Sequence, residues 1–271
     1  MRDSTKRIAL CSALGLTLGL LAIVAKATTW PAHVWLATRY VEQITADRNA
    51  YGAPTQLYFD NLANLHAVTK GGSFLTLLLK NAYPTLTNTV LIALTGSSSP
   101  YPDEWFASID AQRADPVSHI AFGRRSRGRD IRPGDILASP YTSATRGHVM
   151  IVAGQPQITS NMQSPHPIPG VHLVNRIVLQ VFDSTDSTHG DGASTTPDSR
   201  EGTQWNGTAF VADSGLGSGH IALYENATDG RLLAWAWNTS QATPAFYYIA
   251  TPPAGIAKEY RPLVAGFLDG L

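Results

Sequence analysis

Gly147-His148-Val149-Met150-Ile151-Val152 is the stretch whose reading decides the fold. An apolar, β-branched run that follows a glycine reads as a buried strand, with His148 at its first residue. A histidine held at the end of a rigid element suits proton transfer, because its pKa lies near neutral pH. An ordinary half-buried histidine fits the same position, so the surroundings decide between the two. Just upstream, Arg132-Pro133-Gly134-Asp135-Ile136-Leu137 reads as a turn that opens another strand.

Outward from this pair the C-terminal half is β-rich. Strands are expected over 135–138, 148–153, 173–182, 219–225 and 231–237, with a further candidate at 245–250. The segment 160–170 is a proline-rich loop, and 186–206 is long, polar and rich in Ser, Thr and Gly. A loop of that length in a compact domain carries function or moves. Asp198-Ser199-Arg200 and Gly215-Leu216-Gly217-Ser218-Gly219 are loop and turn signals. The glycines lead into a strand rather than a helix, which argues against a nucleotide-phosphate loop.

The N-terminal half is helical. Residues 30–46 place Val34, Ala37, Val41 and Ile44 on one face, with Pro31 suited to a first turn. Residues 72–83 form a second helix, for which Ser73 serves as N-cap and Tyr83-Pro84 as the stop. Phe74, Leu75, Leu77, Leu78 and Leu79 leave it almost no polar face, so it is expected at the centre. A short helix is expected over 104–112. Helices first and an antiparallel meander after them make an α+β pattern. Arginines 124, 125, 127, 129 and 132 fall close together and read as a solvated loop or an anion-facing rim.

The chain has 271 residues, is 44% hydrophobic and 15% charged, and carries 20 basic and 20 acidic residues. That balance describes a globular protein with no basic excess to recruit nucleic acid. Residues 1–27 read as a signal peptide. Arg2, Lys6 and Arg7 precede an apolar run from 8 to 25, and Ala25-Lys26-Ala27 is a small-x-small cleavage site. An uncleaved membrane anchor is the alternative. After cleavage residues 28–271 form one domain with its core at about 55–240, secreted or periplasmic, with no stable membrane span. Cys11 is the only cysteine and lies inside the signal segment, so the mature chain has neither disulfide nor thiol. His33, His119, His166, His172 and His220 show no metal-ligand spacing, and neither a metal nor another cofactor is expected.

Three points line up in chain order: a buried helix that starts near Gly71-Gly72-Ser73-Phe74, a strand that starts at Gly147-His148, and a later strand that ends in Asp183-Ser184-Thr185. An aspartate there can orient the imidazole of His148, and a helix start favours an anionic nucleophile. The order and the local motifs resemble the NlpC-type peptidases, papain-like cysteine peptidases of the bacterial cell envelope. Lys70-Gly71-Gly72-Ser73-Phe74-Leu75 is similar to the family's x-Cys-Ser-Gly-Phe-Val element. The Pro133-Gly134-Asp135 and Gly147-His148-Val149 segments are similar to its Pro-Gly-Asp-Leu and His-Val-Gly-Ile pair, and Asp183 to its third polar residue. The resemblance covers about 55–185, extending toward 240.

It implies a papain-like α+β domain, with helices packed on an antiparallel sheet. It also implies hydrolysis of amide bonds in peptidoglycan peptides, with His148 as base and Asp183 as orienter. Alignment on Phe74 puts the family's nucleophilic cysteine at Gly71, which has no side chain to attack with. The chain is then an inactive homologue that still binds its ligand, an engineered Cys-to-Gly variant of an active enzyme, or a hydrolase that uses Ser73 instead. A non-catalytic cell-wall or peptide-binding module is the alternative in a different class; another serine- or metal-dependent hydrolase has no motif here. His189 reads as an orienter, a substrate contact or a surface histidine. Tyr58 and His66 are candidates for the oxyanion hole or the cleft, against simple packing. Trp205, Trp235 and Trp237 line a cleft or, in the case of the last two, pack together on one strand face.

Overall fold

The computed structural model describes residues 30–141, 146–189, 196–205, 208–239, 246–250 and 260–271. The expected signal peptide and Cys11 lie outside them. Among the described residues, no helix is long and apolar enough to cross a membrane.

Helix α1 (Ala32–Gln43) starts after Pro31 and stops short of the expected 46, because Ile44 turns to extended backbone and a 3-10 turn follows at Ala46–Arg48. Three short strands come next: β1 (Asn49–Tyr51), β2 (Gln56–Phe59) and β3 (Leu65–Thr69). They form a small sheet of order β1-β3-β2, with β1 parallel to β3. Helix α2 (Gly71–Ala82) follows β3 directly. Helix α3 (Asn88–Thr95), which the sequence reading missed, is capped by the Thr87 hydroxyl and ended by Gly96 at φ 85°. Helix α4 (Pro102–Asp110) begins with proline in its first turn, and Glu104 accepts the Tyr101 N–H at 2.8 Å.

The remaining strands are β4 (Ala121–Arg124), β5 (Ile136–Ser139), β6 (His148–Val152), β7 (Gln157–Met162), β8 (Val174–Thr185), β9 (Thr203–Trp205), β10 (Phe210–Ala212), β11 (Gly215–Asn226), β12 (Leu232–Ala236), β13 (Phe246–Tyr248) and β14 (Val264–Asp269). Strands β9 and β10 pair with each other. The others make one sheet of order β13-β12-β11-β8-β6-β5-β14-β4, with β7 also on β8. Every pairing within it is antiparallel, so the architecture is mixed α+β. Strand β8 lies along β11 on one edge and divides its other edge between β7 and β6.

Alternation of side chains along the strands sends the two faces into different cores. Ile136, Val149, Ile151 and Phe182 meet Phe74, Leu75, Leu78, Leu91 and Trp105 from the helices. On the opposite face Leu137, Met150, Val181, Leu223 and Trp235 pack together. Phe74, Leu75, Leu78 and Leu79 are at most 1% exposed, each contributing about 1.5–3 kcal/mol by burial. This face of α2 fixes the helix on β6 and brings its N-terminus to the end of the strand where His148 sits.

The arginine cluster does not form a free rim. Arg125 holds the buried Asp135 through two hydrogen bonds of 2.8 and 3.0 Å, and Arg129 pairs with the buried Glu225 at 3.1 Å. Asp135 also accepts the Arg132 N–H at 2.8 Å. Pro133-Gly134-Asp135 is therefore a structural turn, with Gly134 at φ 94°. Burial raises the Asp135 carboxyl pKa despite Arg125.

Candidate functional site

Strand register brings the site together. Ile151 pairs with Phe182, so Asp183 on β8 stands beside β6, and alternation puts it on the same face as His148. The His148 Nε2 lies 2.6 Å from Asp183 Oδ2. An ionised carboxylate can only accept, so the ring presents Nε2–H to it and keeps its lone pair on Nδ1. His148 and Asp183 are 6% and 0% exposed. Burial lowers the His148 pKa and outweighs the opposing pull of Asp183. Burial alone would raise the Asp183 carboxyl; Arg200, His189 and His148 together reverse it and hold it well below the ordinary carboxylate range. The pair at neutral pH is thus a neutral imidazole on an ionised carboxylate, the arrangement a general base requires.

Asp183 lies inside its strand, beyond the 173–182 expected for it. Strand β8 runs on to Thr185, because Ser184 and Thr185 are buried and Ser184 exchanges hydrogen bonds of 2.9 Å with Thr69 of β3. His189 is not at the surface: it is 2% exposed, and its Nε2 lies 2.7 Å from the same Asp183 Oδ2. The other carboxylate oxygen, Oδ1, accepts Arg200 Nη1 at 2.8 Å. Arg200 in turn grips Asp198 through Nε at 2.8 Å and Nη2 at 2.7 Å, and Asp198 accepts the His189 main-chain N–H at 2.7 Å. Asp198 and Arg200, read from sequence only as loop signals, are 4% and 2% exposed. The loop that follows β8 therefore folds back as a second layer over the histidines.

Glycines make room for that layer. Gly217 pairs with Asp183 across β8 and β11, and a Cβ at 217 would stand 2.8 Å from Arg200 Nε. At 219 a Cβ would stand 2.4 Å from Asp198 Oδ2 and 2.8 Å from the His189 Cβ. The segment that reads as a turn is strand, with side chains absent where the charged layer sits. Trp237 completes the enclosure. It stacks on His189 at 4.5 Å and 13°, and meets His148 edge-on at 4.9 Å. Trp235 is fully buried in the apolar core and its ring meets that of Trp237 edge-on at 4.7 Å, so the two do pack together, with Trp237 reaching from the core to the histidines.

His148 lines two cavities. One, of about 320 Å³, is bounded by Lys70, Gly71, Gly72, Tyr101, Pro102 and His148. The other, of about 280 Å³, is bounded by Tyr141, Thr188, His189, Trp237, Arg261 and His148. The first contains the N-terminus of α2. A Cβ at Gly71 would lie 3.3 Å from Val149 O and 3.6 Å from Val149 N, alongside the residue that follows His148. A Cβ at Gly72 would lie 2.8 Å from Pro100 O, where no side chain fits. Ser73 does line this cavity, but it is committed to the helix start. Its hydroxyl accepts the Lys70 N–H at 3.1 Å and donates to Lys70 O at 3.0 Å. It is the third helical residue with its hydroxyl turned back on Lys70, rather than the N-cap.

Tyr58 and His66 stand elsewhere, on β2 and β3. They stack on each other at 5.1 Å, His66 bonds Asp60 at 3.1 Å, and neither lines the cavity of Gly71 and His148. Trp205 stands on β9. His33 is a structural histidine: it donates to Gly134 O at 2.9 Å and accepts from the Tyr83 hydroxyl at 2.8 Å.

Comparison of the chain with protein-family models, with curated proteins and with solved structures finds no match.

Proposed function

We propose that the chain is an exported, papain-like peptidase or amidase scaffold of NlpC type, built around amide bonds of peptidoglycan peptides and lacking its nucleophile. The observation that carries this reading is that His148, backed by the buried Asp183, lines the same cleft as the N-terminus of α2. With cysteine at 71, His148 Nδ1 would take the thiol proton. The helix start and the neighbouring imidazole would favour the thiolate. The sulfur would then attack the amide carbon while N–H groups of the first turn receive the oxyanion, and His148 would return the proton to the departing amine. Water would hydrolyse the thioester. With glycine at 71 no covalent step is open, and the cleft binds peptide without turnover. The bare position 71 and the committed Ser73 hydroxyl favour, as a second reading, a peptide-binding module of the cell wall.

One comparison tests both. Peptidoglycan fragments are incubated with the native chain, with Gly71→Cys, and with Gly71→Cys combined with His148→Ala. Amide cleavage by Gly71→Cys alone supports the disabled scaffold. Fragment binding with no cleavage by any protein supports the module. Cleavage by the native chain that persists in Ser73→Ala overturns both, as does the absence of binding and cleavage in folded protein.

A further inference from the structure

Around Asp183 the buried carboxylates outnumber the buried guanidinium groups. Asp183 and Asp198 bring two carboxylates, Arg200 brings one guanidinium, and all three are at most 4% exposed. The carboxylates outnumber the guanidinium by one, and two imidazoles face the shared oxygen. Buried charges are paired or bind metal ions, because an unpaired one is too costly out of water. The placement of the donors is also specific. Arg200 occupies Oδ1 of Asp183, which leaves Oδ2 as the single oxygen turned to both histidines. Asp198 fixes His189 through its main chain, and the glycines at 217 and 219 hold open the space for this layer.

We propose that His148 Nε2, His189 Nε2 and Asp183 Oδ2 form a binding site for a transition-metal ion of the zinc type. The three residues offer ligand atoms within 4.8 Å of one another. Two imidazoles and one carboxylate suit zinc, cobalt or nickel and suit magnesium poorly. A tetrahedral zinc site needs neighbouring ligand atoms about 3.3 Å apart, from metal–ligand bonds of about 2.0–2.1 Å. The present 2.6 and 2.7 Å contacts must lengthen by about 0.6–0.7 Å to reach that, with the rings turned so that their Nε2 lone pairs aim at the ion rather than at the oxygen. The cavity beside Trp237 and Tyr141 gives an entry path and room for a further ligand, since both histidines line it. Sequence spacing could not reveal the site, because the ligands come from β6, β8 and the loop after β8.

The site goes beyond the peptide reading and excludes one part of it at a time. A metal on Nε2 leaves the proton of the neutral ring on Nδ1, so a loaded His148 is not a base. Metal would therefore inhibit any hydrolysis gained by Gly71→Cys, while binding to the native chain is independent of any peptide.

The test is titration of zinc into the chelator-treated full chain by calorimetry, with the visible absorption of cobalt as a signature of tetrahedral coordination. One equivalent bound, a tetrahedral cobalt spectrum, and affinity more than about 100-fold lower in His189→Ala are the expected results, a larger loss than a supporting neighbour of a ligand gives. His66→Ala, on the small sheet, should bind as the native chain does, and magnesium should not compete. Thermal melts establish that His189→Ala is folded; if it is not, Asp183→Asn, which keeps the shape of the carboxylate, gives the same comparison. No uptake, or equal uptake by native chain and ligand variant, overturns the proposal, and so does magnesium bound as tightly as zinc.

Discussion

Two adjacent glycines at the start of α2 have different reasons to be glycine. At 71 an added Cβ makes one tight contact of 3.3 Å with Val149 O; at 72 it collides with the Pro100 carbonyl at 2.8 Å. Gly71→Ala should leave stability within about 1 kcal/mol of the native value, since alanine also suits a helix. Gly72→Ala should lose about 1–3 kcal/mol, because backbone has to move. Urea unfolding of the two variants checks the difference, and equal losses would contradict the placement of the α2 start between β6 and Pro100. At this scale the sequence was legible where chemistry and strand position coincide. His148 and Asp183 announce themselves by standing at the border of apolar runs. Arg200 and Asp198 do not, because nothing local distinguishes a buried arginine in a polar loop from a solvated one. Its partners lie on β8 and on the far side of its own turn.

Polar and glycine residues misled the reading at the ends of elements. Strands β8 and β11 each run several residues further than their hydrophobic pattern suggests, at Asp183-Ser184-Thr185 and Gly215-Leu216-Gly217-Ser218-Gly219. Those residues are tolerated inside a sheet because each polar group has a partner and each glycine faces a bulky neighbour. Gly219→Ala therefore reports on the whole β8–β11 element. It should cost about 1–3 kcal/mol, and it should displace His189 and Asp198 rather than the apolar core. Imidazole signals in an NMR spectrum of the variant would show it. Unchanged His189 resonances would mean that β11 does not support the loop. The short elements β1 to β4, β7, β9, β10, β14 and α3 escaped because three to eight residues do not establish a period; β6, no longer than several of these, was read from its apolar, β-branched run after a glycine, and α2 from its nearly continuous apolar surface.

For the molecule as a whole, the order of helices then strands was enough to establish the α+β class, and the register that assembles the site was not. Stability should depend on pH through the buried histidines. Burial lowers the pKa of His33 and of His148 in the folded chain, whereas in the unfolded chain both return to about 6.5. Below that value the unfolded state binds more protons, so stability is complete above about pH 6.5 and falls as pH drops. Urea midpoints of the chelator-treated protein from pH 8 to pH 5 should decline, and His33→Gln should flatten the decline; a midpoint constant over that range would refute it. Strand β14 has a different consequence. It is the last of the described strands and sits between β5 and β4, and β4 has no other strand partner among the described residues. Until residue 264 arrives, β5 keeps a bare edge beside the strand that carries His148. Such edges recruit other chains. Folding is then a race in which a strand made long after both its partners has to reach the slot before a neighbouring molecule does, and a chain cut before it should aggregate rather than merely lose stability.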